Sequence, residues 1–398
     1  MESVIGQGYV RWIPAVYENL WMARRRALKV LLDNTIFEIH QGGGVARYFD
    51  EIIPVVAKGN LDIQFLLEGD KSMVAKSANI RRLKLLNPIQ HRPWRLFWKH
   101  IHACRVRRFE AEADLFVSTY YVPKPRAQMK SVVVVYDFID ADLSCMNPNG
   151  YEFVRKQRKV IEDADAVIAI SEETKHKVIR YTHIDASRVE VIYPIAGSGL
   201  LIVAPSEAIK NFRKKYNVVK PYWLYVGARA YYKNFDCVLR AFAMIAQESE
   251  DELLVVGGEK ELTPHLLDFL FRKRLEHRVH LVGRLTDEDL SAAYAGTIGF
   301  VYPSFAEGFG IPLLEAMQSG VPVVASDIPV FREVAGDAAE YFDPHSAAGL
   351  ARTMRTIKKQ EARAHLIRLG YERIQHFSGK RAAEQMADLL RRVGEGGV

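Results

Sequence analysis

Residues 299–325 read Gly299-Phe300-Val301-Tyr302-Pro303-Ser304-Phe305-Ala306-Glu307-Gly308-Phe309-Gly310-Ile311-Pro312-Leu313-Leu314-Glu315-Ala316-Met317-Gln318-Ser319-Gly320-Val321-Pro322-Val323-Val324-Ala325, an order of residue types that spells strand, loop, helix, turn and strand. Gly299–Tyr302 is a short apolar run, and Pro303-Ser304 turns the chain. Pro312 suits the first helical position, where its missing N–H costs nothing. Gly320 stops the helix before the next strand, Val321–Ala325. Gly308 and Gly310 therefore fall in a loop ahead of a helix N-terminus, whose free N–H groups and positive dipole end favour an anion.

The same rhythm extends in both directions. Upstream, the runs Leu28–Leu32, Ile63–Leu67, Leu115–Ser118, Ser131–Tyr136, Ala166–Ile170 and Val189–Tyr193 alternate with longer mixed stretches. Continuous apolar runs of this length suit strands buried on both faces, with crossover helices between them. The texture weakens between Pro194 and Pro221 and resumes at Tyr222–Val226, Leu253–Val256 and Val279–Val282. The expected architecture is α/β, with two Rossmann-like domains facing a central cleft. The expected divisions are an extension over 1–27, an N-terminal domain over 28–200 and a C-terminal domain over 201–376. A last helix over 377–398 is expected to return to the N-terminal domain.

Composition narrows the classes. The 398 residues are 49% hydrophobic and 26% charged, which excludes a disordered chain or a disulfide scaffold. Lys and Arg exceed Asp and Glu by 55 to 48, a charge of +7 that fits an anionic partner. Cys104, Cys145 and Cys237 are too few and too scattered for a disulfide framework, so a reducing, cytoplasmic setting is expected. No apolar run reaches membrane-spanning length, and Glu2, Arg11 and Glu18 interrupt any signal peptide.

Glu307 and Glu315 bracket the glycine loop, and both can face one ligand. Carboxylates bind phosphate poorly but accept well from sugar hydroxyls. Beside an anion site they describe a nucleotide sugar, whereas Glu315 alone could serve only the helix dipole. A second loop, Tyr225-Val226-Gly227-Ala228-Arg229-Ala230-Tyr231-Tyr232-Lys233-Asn234, offers Arg229 as a fork and Lys233 as a point charge to a diphosphate, or leaves both solvated. A third, Gln41-Gly42-Gly43-Gly44-Val45-Ala46-Arg47, allows close backbone approach or is a flexible turn. Asp140-Ala141-Asp142 matches a metal-binding D-x-D pattern, but phosphate-binding cations make a metal unnecessary, and none is expected. Residues 92–108 hold six Lys or Arg with Trp94, Phe97, Trp98 and Ile101 at helical spacing. They suit either a packed crossover helix or one that docks on anionic lipid, and no nucleic-acid module accompanies the charge.

The string from Glu307 to Met317, followed by Gly320-Val321-Pro322-Val323-Val324, resembles the E-x7-E signature of retaining GT-B glycosyltransferases of family four. The resemblance extends over nearly the whole chain after residue 28. It implies that Glu307 contacts the donor sugar near the reacting carbon and that Glu315 holds the ribose. Gly308, Phe309, Gly310 and Ile311 would then line the donor, with Arg229 and Lys233 on its diphosphate. Gly43 and Gly44 would cover the diphosphate from the N-terminal domain, and Arg47 becomes a phosphate or acceptor contact. Many family members carry His-Asp where this chain has Tyr136-Asp137, so only Asp137 carries over, to orient the acceptor or a loop. The implied reaction moves a hexose from a nucleotide-diphosphate sugar to a glycan or lipid-linked glycan, with GDP-mannose as the guessed donor and a UDP-sugar as its rival. Competing readings are a sugar-nucleotide epimerase or phosphorylase of the same shape, and a non-catalytic sugar-nucleotide-binding subunit.

Overall fold

The computed structural model describes residues 27–33, 35–39, 44–59, 63–68, 80–83, 107–108, 110–143, 150–195, 204–258 and 261–396. Among them, β1 (Leu28–Leu32), β2 (Ile63–Glu68), β3 (Ile80–Leu83), β4 (Leu115–Ser118), β5 (Lys130–Val135), β6 (Ala166–Ala169) and β7 (Val189–Val191) form one sheet in the order β3-β2-β1-β4-β5-β6-β7. A second sheet contains β8 (Tyr222–Val226), β9 (Glu252–Val256), β10 (Val279–Val282), β11 (Gly299–Tyr302), β12 (Val323–Ser326) and β13 (Ala339–Phe342) in the order β10-β9-β8-β11-β12-β13. Neighbouring strands are parallel throughout. Consecutive strands therefore need crossovers; helices supply most of the described ones, while residues 119–129 join β4 to β5 without a helix.

In the first half these helices are α1 (Thr35–Ile39), α2 (Gly44–Gly59), α3 (Ile139–Asp142), α4 (Gly150–Glu162) and α5 (Glu172–Tyr181). In the second they are α6 (Ser206–Lys215), α7 (Phe235–Ile245), α8 (Pro264–Lys273), α9 (Asp287–Ala295), α10 (Ile311–Gln318) and α11 (Pro329–Ala335). The charged tail folds as α12 (Ala347–Ile357), α13 (Gln360–Arg373) and α14 (Gly379–Gly394).

The apolar runs are continuous because both faces are covered. In β8, Tyr222 and Leu224 join a core shared with Phe300 and Tyr302, while Trp223 and Tyr225 join Val255, Val301 and Val324 on the other face. Each such buried side chain contributes roughly 2–3 kcal/mol. The strands that the sequence reading passed over, β3 and β13, stand at sheet edges. Their residues Ile80-Arg81-Arg82-Leu83 and Ala339-Glu340-Tyr341-Phe342 carry polar groups where a central strand would be apolar. β12 starts at Val323 rather than Val321, because Pro322 has no N–H for the ladder.

The last helix lies on the N-terminal sheet. α14 packs on α2 and β1, and a Cβ on Gly394 would lie 2.6 Å from Leu28 Cδ1. Arg392 pairs with Glu190 at 2.7 Å, just before the end of β7. Strand order reverses between β1 and β4 in one sheet and between β8 and β11 in the other. Loops leaving the carboxyl ends of such neighbours diverge and open a crevice.

Candidate functional site

The chain leaves β8 through Gly227-Ala228-Arg229-Ala230 and makes a 3-10 turn at Tyr231–Lys233. Asn234, left-handed at φ 53°, redirects it into α7. Its side-chain amide donates to the carbonyls of Pro303 (3.0 Å) and Pro344 (2.7 Å), tying this loop to the one after β11. That bracing places Lys233 Nζ 2.7 Å from Glu307 Oε1. Ser304 Oγ donates to the same oxygen at 2.6 Å, and Nζ lies 3.4 Å from the Tyr302 hydroxyl. The rings of Tyr232 and Tyr302 flank the ammonium, with centroids 5.2 and 5.4 Å from Nζ. Glu307 is 8% exposed, so removing either charge alone would leave its partner buried and unpaired, at a cost of about 3–5 kcal/mol. Burial, and then the charge of Glu307, raise the pKa of Tyr302 well above the ordinary phenol value.

Arg229 is oriented rather than free. Its two terminal amino groups donate to the carbonyls of Gly257 and Glu261, both at 3.1 Å. The remaining N–H donors of the fork are uncommitted among the described residues.

The loop after β11 ends at Gly310, whose φ of 106° turns the chain into α10. No described residue accepts from the N–H of Gly308, Phe309, Gly310 or Ile311. Phe309 sends its ring away from them, between Tyr193 (6.0 Å) and Phe377 (5.6 Å). Glu315 lies in the second turn of α10, which starts at Ile311. It is 4% exposed and accepts from the Tyr294 hydroxyl at 3.1 Å.

Gly308 departs from the sequence reading, which left space beside it for a ligand. A Cβ there would lie 1.7 Å from the Tyr136 carbonyl oxygen and 3.1 Å from Asp137 Cβ. The close approach this glycine permits is that of the N-terminal domain's own backbone. Tyr136 points inward, its hydroxyl donating to the Thr119 carbonyl at 2.8 Å. Asp137 Oδ1 accepts from the Ile139 amide at 3.1 Å. Burial, with the charges of Glu307 and Asp140, raises its carboxyl pKa to about 6. Asp142 of the D-x-D pattern is held by Lys177 (2.7 Å) and the Tyr181 hydroxyl (2.7 Å). Gly43 lies outside the described residues. Gly44 opens α2, and the side chain of Arg47 within α2 lies outside the description, as do residues 92–106 of the basic stretch.

Lys233, Glu307 and Asp137 thus meet at the boundary of the two domains, with Arg229 and Glu315 each fixed by its own partner. Sequence reasoning missed Ser304 and the flanking rings of Tyr232 and Tyr302, since nothing local marks a hydroxyl that turns onto a carboxylate three residues on. It also missed Ser171, Thr174 and Glu333, which link the domains at Gly308 and at the start of α5. The N-cap pattern Ser171-Glu172-Glu173-Thr174 was the available signal.

Residues 42–195 match Glycosyltransferase Family 4, and residues 208–373 match Glycosyl transferases group 1. The chain belongs to the group 1 glycosyltransferases. The serotype-specific mannosyltransferase WbdA of Escherichia coli is 31% identical over 263 residues, covering 64% of this chain and 32% of WbdA. O-antigen chain mannosyltransferase B of Escherichia coli is 28% identical over 228 residues, covering 56% of this chain and 60% of its own. The chain thus spans less than two thirds of either relative. The crystal structure of Anabaena HepE in complex with UDP-glucose matches with a TM-score of 0.69 at 18% identity, over 92% of this chain and 99% of HepE. The likeness is that of the GT-B fold. No helix among the described residues is long and apolar enough to cross a membrane.

Proposed function

We propose that this protein is a retaining glycosyltransferase that moves a hexose, with mannose as the first candidate, from a nucleotide-diphosphate sugar to a glycan or lipid-linked glycan hydroxyl in cell-surface polysaccharide assembly. The observation that carries the reading is the buried Lys233–Glu307 pair, 2.7 Å apart, on the loops after β8 and β11 and facing Asp137 across the domain boundary. Lys233 and Arg229 supply positive charge for a departing diphosphate, and the amides of residues 309–311 add donors with no competing acceptor. Glu307 accepts from hydroxyls of the donor sugar, and Glu315 from those of the ribose.

In this proposal the acceptor enters from the N-terminal side, where Asp137 and Arg47 hold it, with Gly43 and Gly44 covering the diphosphate. The acceptor oxygen bonds to the anomeric carbon on the face from which the phosphate leaves. The departing phosphate oxygen takes the acceptor's proton, and no metal is required. GDP-mannose is favoured by the mannosyltransferase relatives, and a UDP-sugar by the UDP-glucose complex of HepE. We place the reaction in the cytoplasm, at the inner face of the membrane when the acceptor is lipid-linked.

The test incubates the protein with labelled GDP-mannose, UDP-glucose and other nucleotide sugars, with and without membrane extract. Transfer of label to extract material is expected. Label isomerised or released without an acceptor would favour an epimerase or phosphorylase, and binding without turnover a non-catalytic subunit.

A further inference from the structure

The carbonyl of Gly308 follows directly on Glu307 and faces the other domain. Ser171 Oγ donates to it at 2.7 Å, and Thr174 Oγ1 is shared between it (3.2 Å) and the Tyr136 carbonyl (3.3 Å). Both hydroxyls are buried, at 0% and 1% exposure. Ser171 also caps α5, accepting from the Thr174 amide at 2.9 Å. At the same helix end, Glu333 of α11 receives the amides of Glu172 (2.6 Å) and Glu173 (3.0 Å). The N-terminus of α5 is thus gripped at two points by the C-terminal domain. Arg373 holds that second grip, donating to the carbonyls of Glu333 and Val334.

A planar trans peptide points its carbonyl and its N–H in opposite directions. Fixing the Gly308 oxygen therefore fixes the direction of the Phe309 N–H, one of the four consecutive amides that no described residue accepts from. It also fixes the backbone that carries Glu307. A buried carbonyl requires a donor, and here the donors come from the opposite domain. The loop's orientation and the docking of the domains are one event.

We propose that Ser171 and Thr174 are positioning residues for sugar transfer: through the Gly308 carbonyl they aim the Glu307 carboxylate and the Phe309 amide at the ligand when the domains are docked. The inference rests on the reading of Glu307 as part of the transfer site. A contact that merely held the domains together would act on stability and on binding. One that aims reacting groups acts on the rate with donor already bound.

The experiment measures kcat and donor KM for Thr174→Val, which keeps the shape and the helix cap, and for Ser171→Ala, with Thr174→Ser as the conservative rescue. Donors are GDP-mannose and UDP-glucose with membrane extract as acceptor, and Glu307→Gln is run alongside. The expected result is a kcat about tenfold lower for Thr174→Val and Ser171→Ala, with donor KM within about twofold and Thr174→Ser near wild type. An unchanged kcat, or a loss confined to KM and melting temperature, would overturn the inference. If Glu307→Gln also transfers at the wild-type rate, the site reading itself falls. If it is inactive while the hydroxyl variants keep their kcat, only the positioning role falls.

Discussion

Replacing Asp137 by Asn should stabilise the protein at neutral pH and do nothing in acid. Burial, with the charges of Glu307 and Asp140, raises the Asp137 carboxyl to about 6 in the folded chain against an ordinary 3.8, outweighing the Ile139 amide and the charge of Lys177. Below the ordinary value the carboxyl is protonated in both folded and unfolded chains, and it costs nothing. Between about 4 and 6 the folded state keeps a proton that the unfolded state releases, so stability falls as pH rises. Above about 6 the full penalty is present, roughly 3 kcal/mol for a change of this size. Asn cannot ionise, yet it keeps an oxygen for the Ile139 N–H. Urea unfolding of wild type and Asp137→Asn, followed by circular dichroism at pH 4 and pH 7.5, should show Asn more stable by up to about 3 kcal/mol at the higher pH and equal at the lower. The same difference at both pH values, or a less stable Asn variant at pH 7.5, would show that the Asp137 carboxylate carries no burial penalty.

Gly308→Ala places a Cβ where the Tyr136 carbonyl sits, so the domains cannot dock as they do here. Transfer should fall by at least about 100-fold, with an unchanged far-ultraviolet spectrum showing that the sheets survive. Changing Arg95, Lys99 and Arg105 together to Glu should abolish flotation with phosphatidylglycerol vesicles if the basic stretch docks on membrane. Unchanged flotation would return that stretch to a packing role.

Much of the fold was legible because a parallel sheet covered on both faces turns its strands into continuous apolar runs, as in Val132–Val135 and Leu253–Val256. The edge strands β3 and β13 were not, since positions open to solvent at a sheet edge admit Arg81 and Glu340. In the site, the Gly-Phe-Gly loop with its proline announced a helix N-terminus, and the Lys233 and Glu307 loops could be placed beside one another once the strands were ordered. That the two side chains would pair, with Ser304 on the same oxygen, required the geometry of Asn234 bridging both loops. The glycine at 308 was legible as a site of close approach. What approaches it is the Tyr136 carbonyl, just past the end of β5 in the other domain, and no local pattern records that distance.

The most direct measurement is sugar transfer by the double variant Lys233→Met with Glu307→Gln, using whichever of GDP-mannose or UDP-glucose the wild type turns over with membrane extract. Removing both charges together leaves neither buried alone, so the variant should fold with wild-type or greater stability. Transfer at least about 1000-fold slower is expected in this folded protein, through the loss of transition-state charge stabilisation. A folded double variant that transfers at the wild-type rate would contradict that expectation.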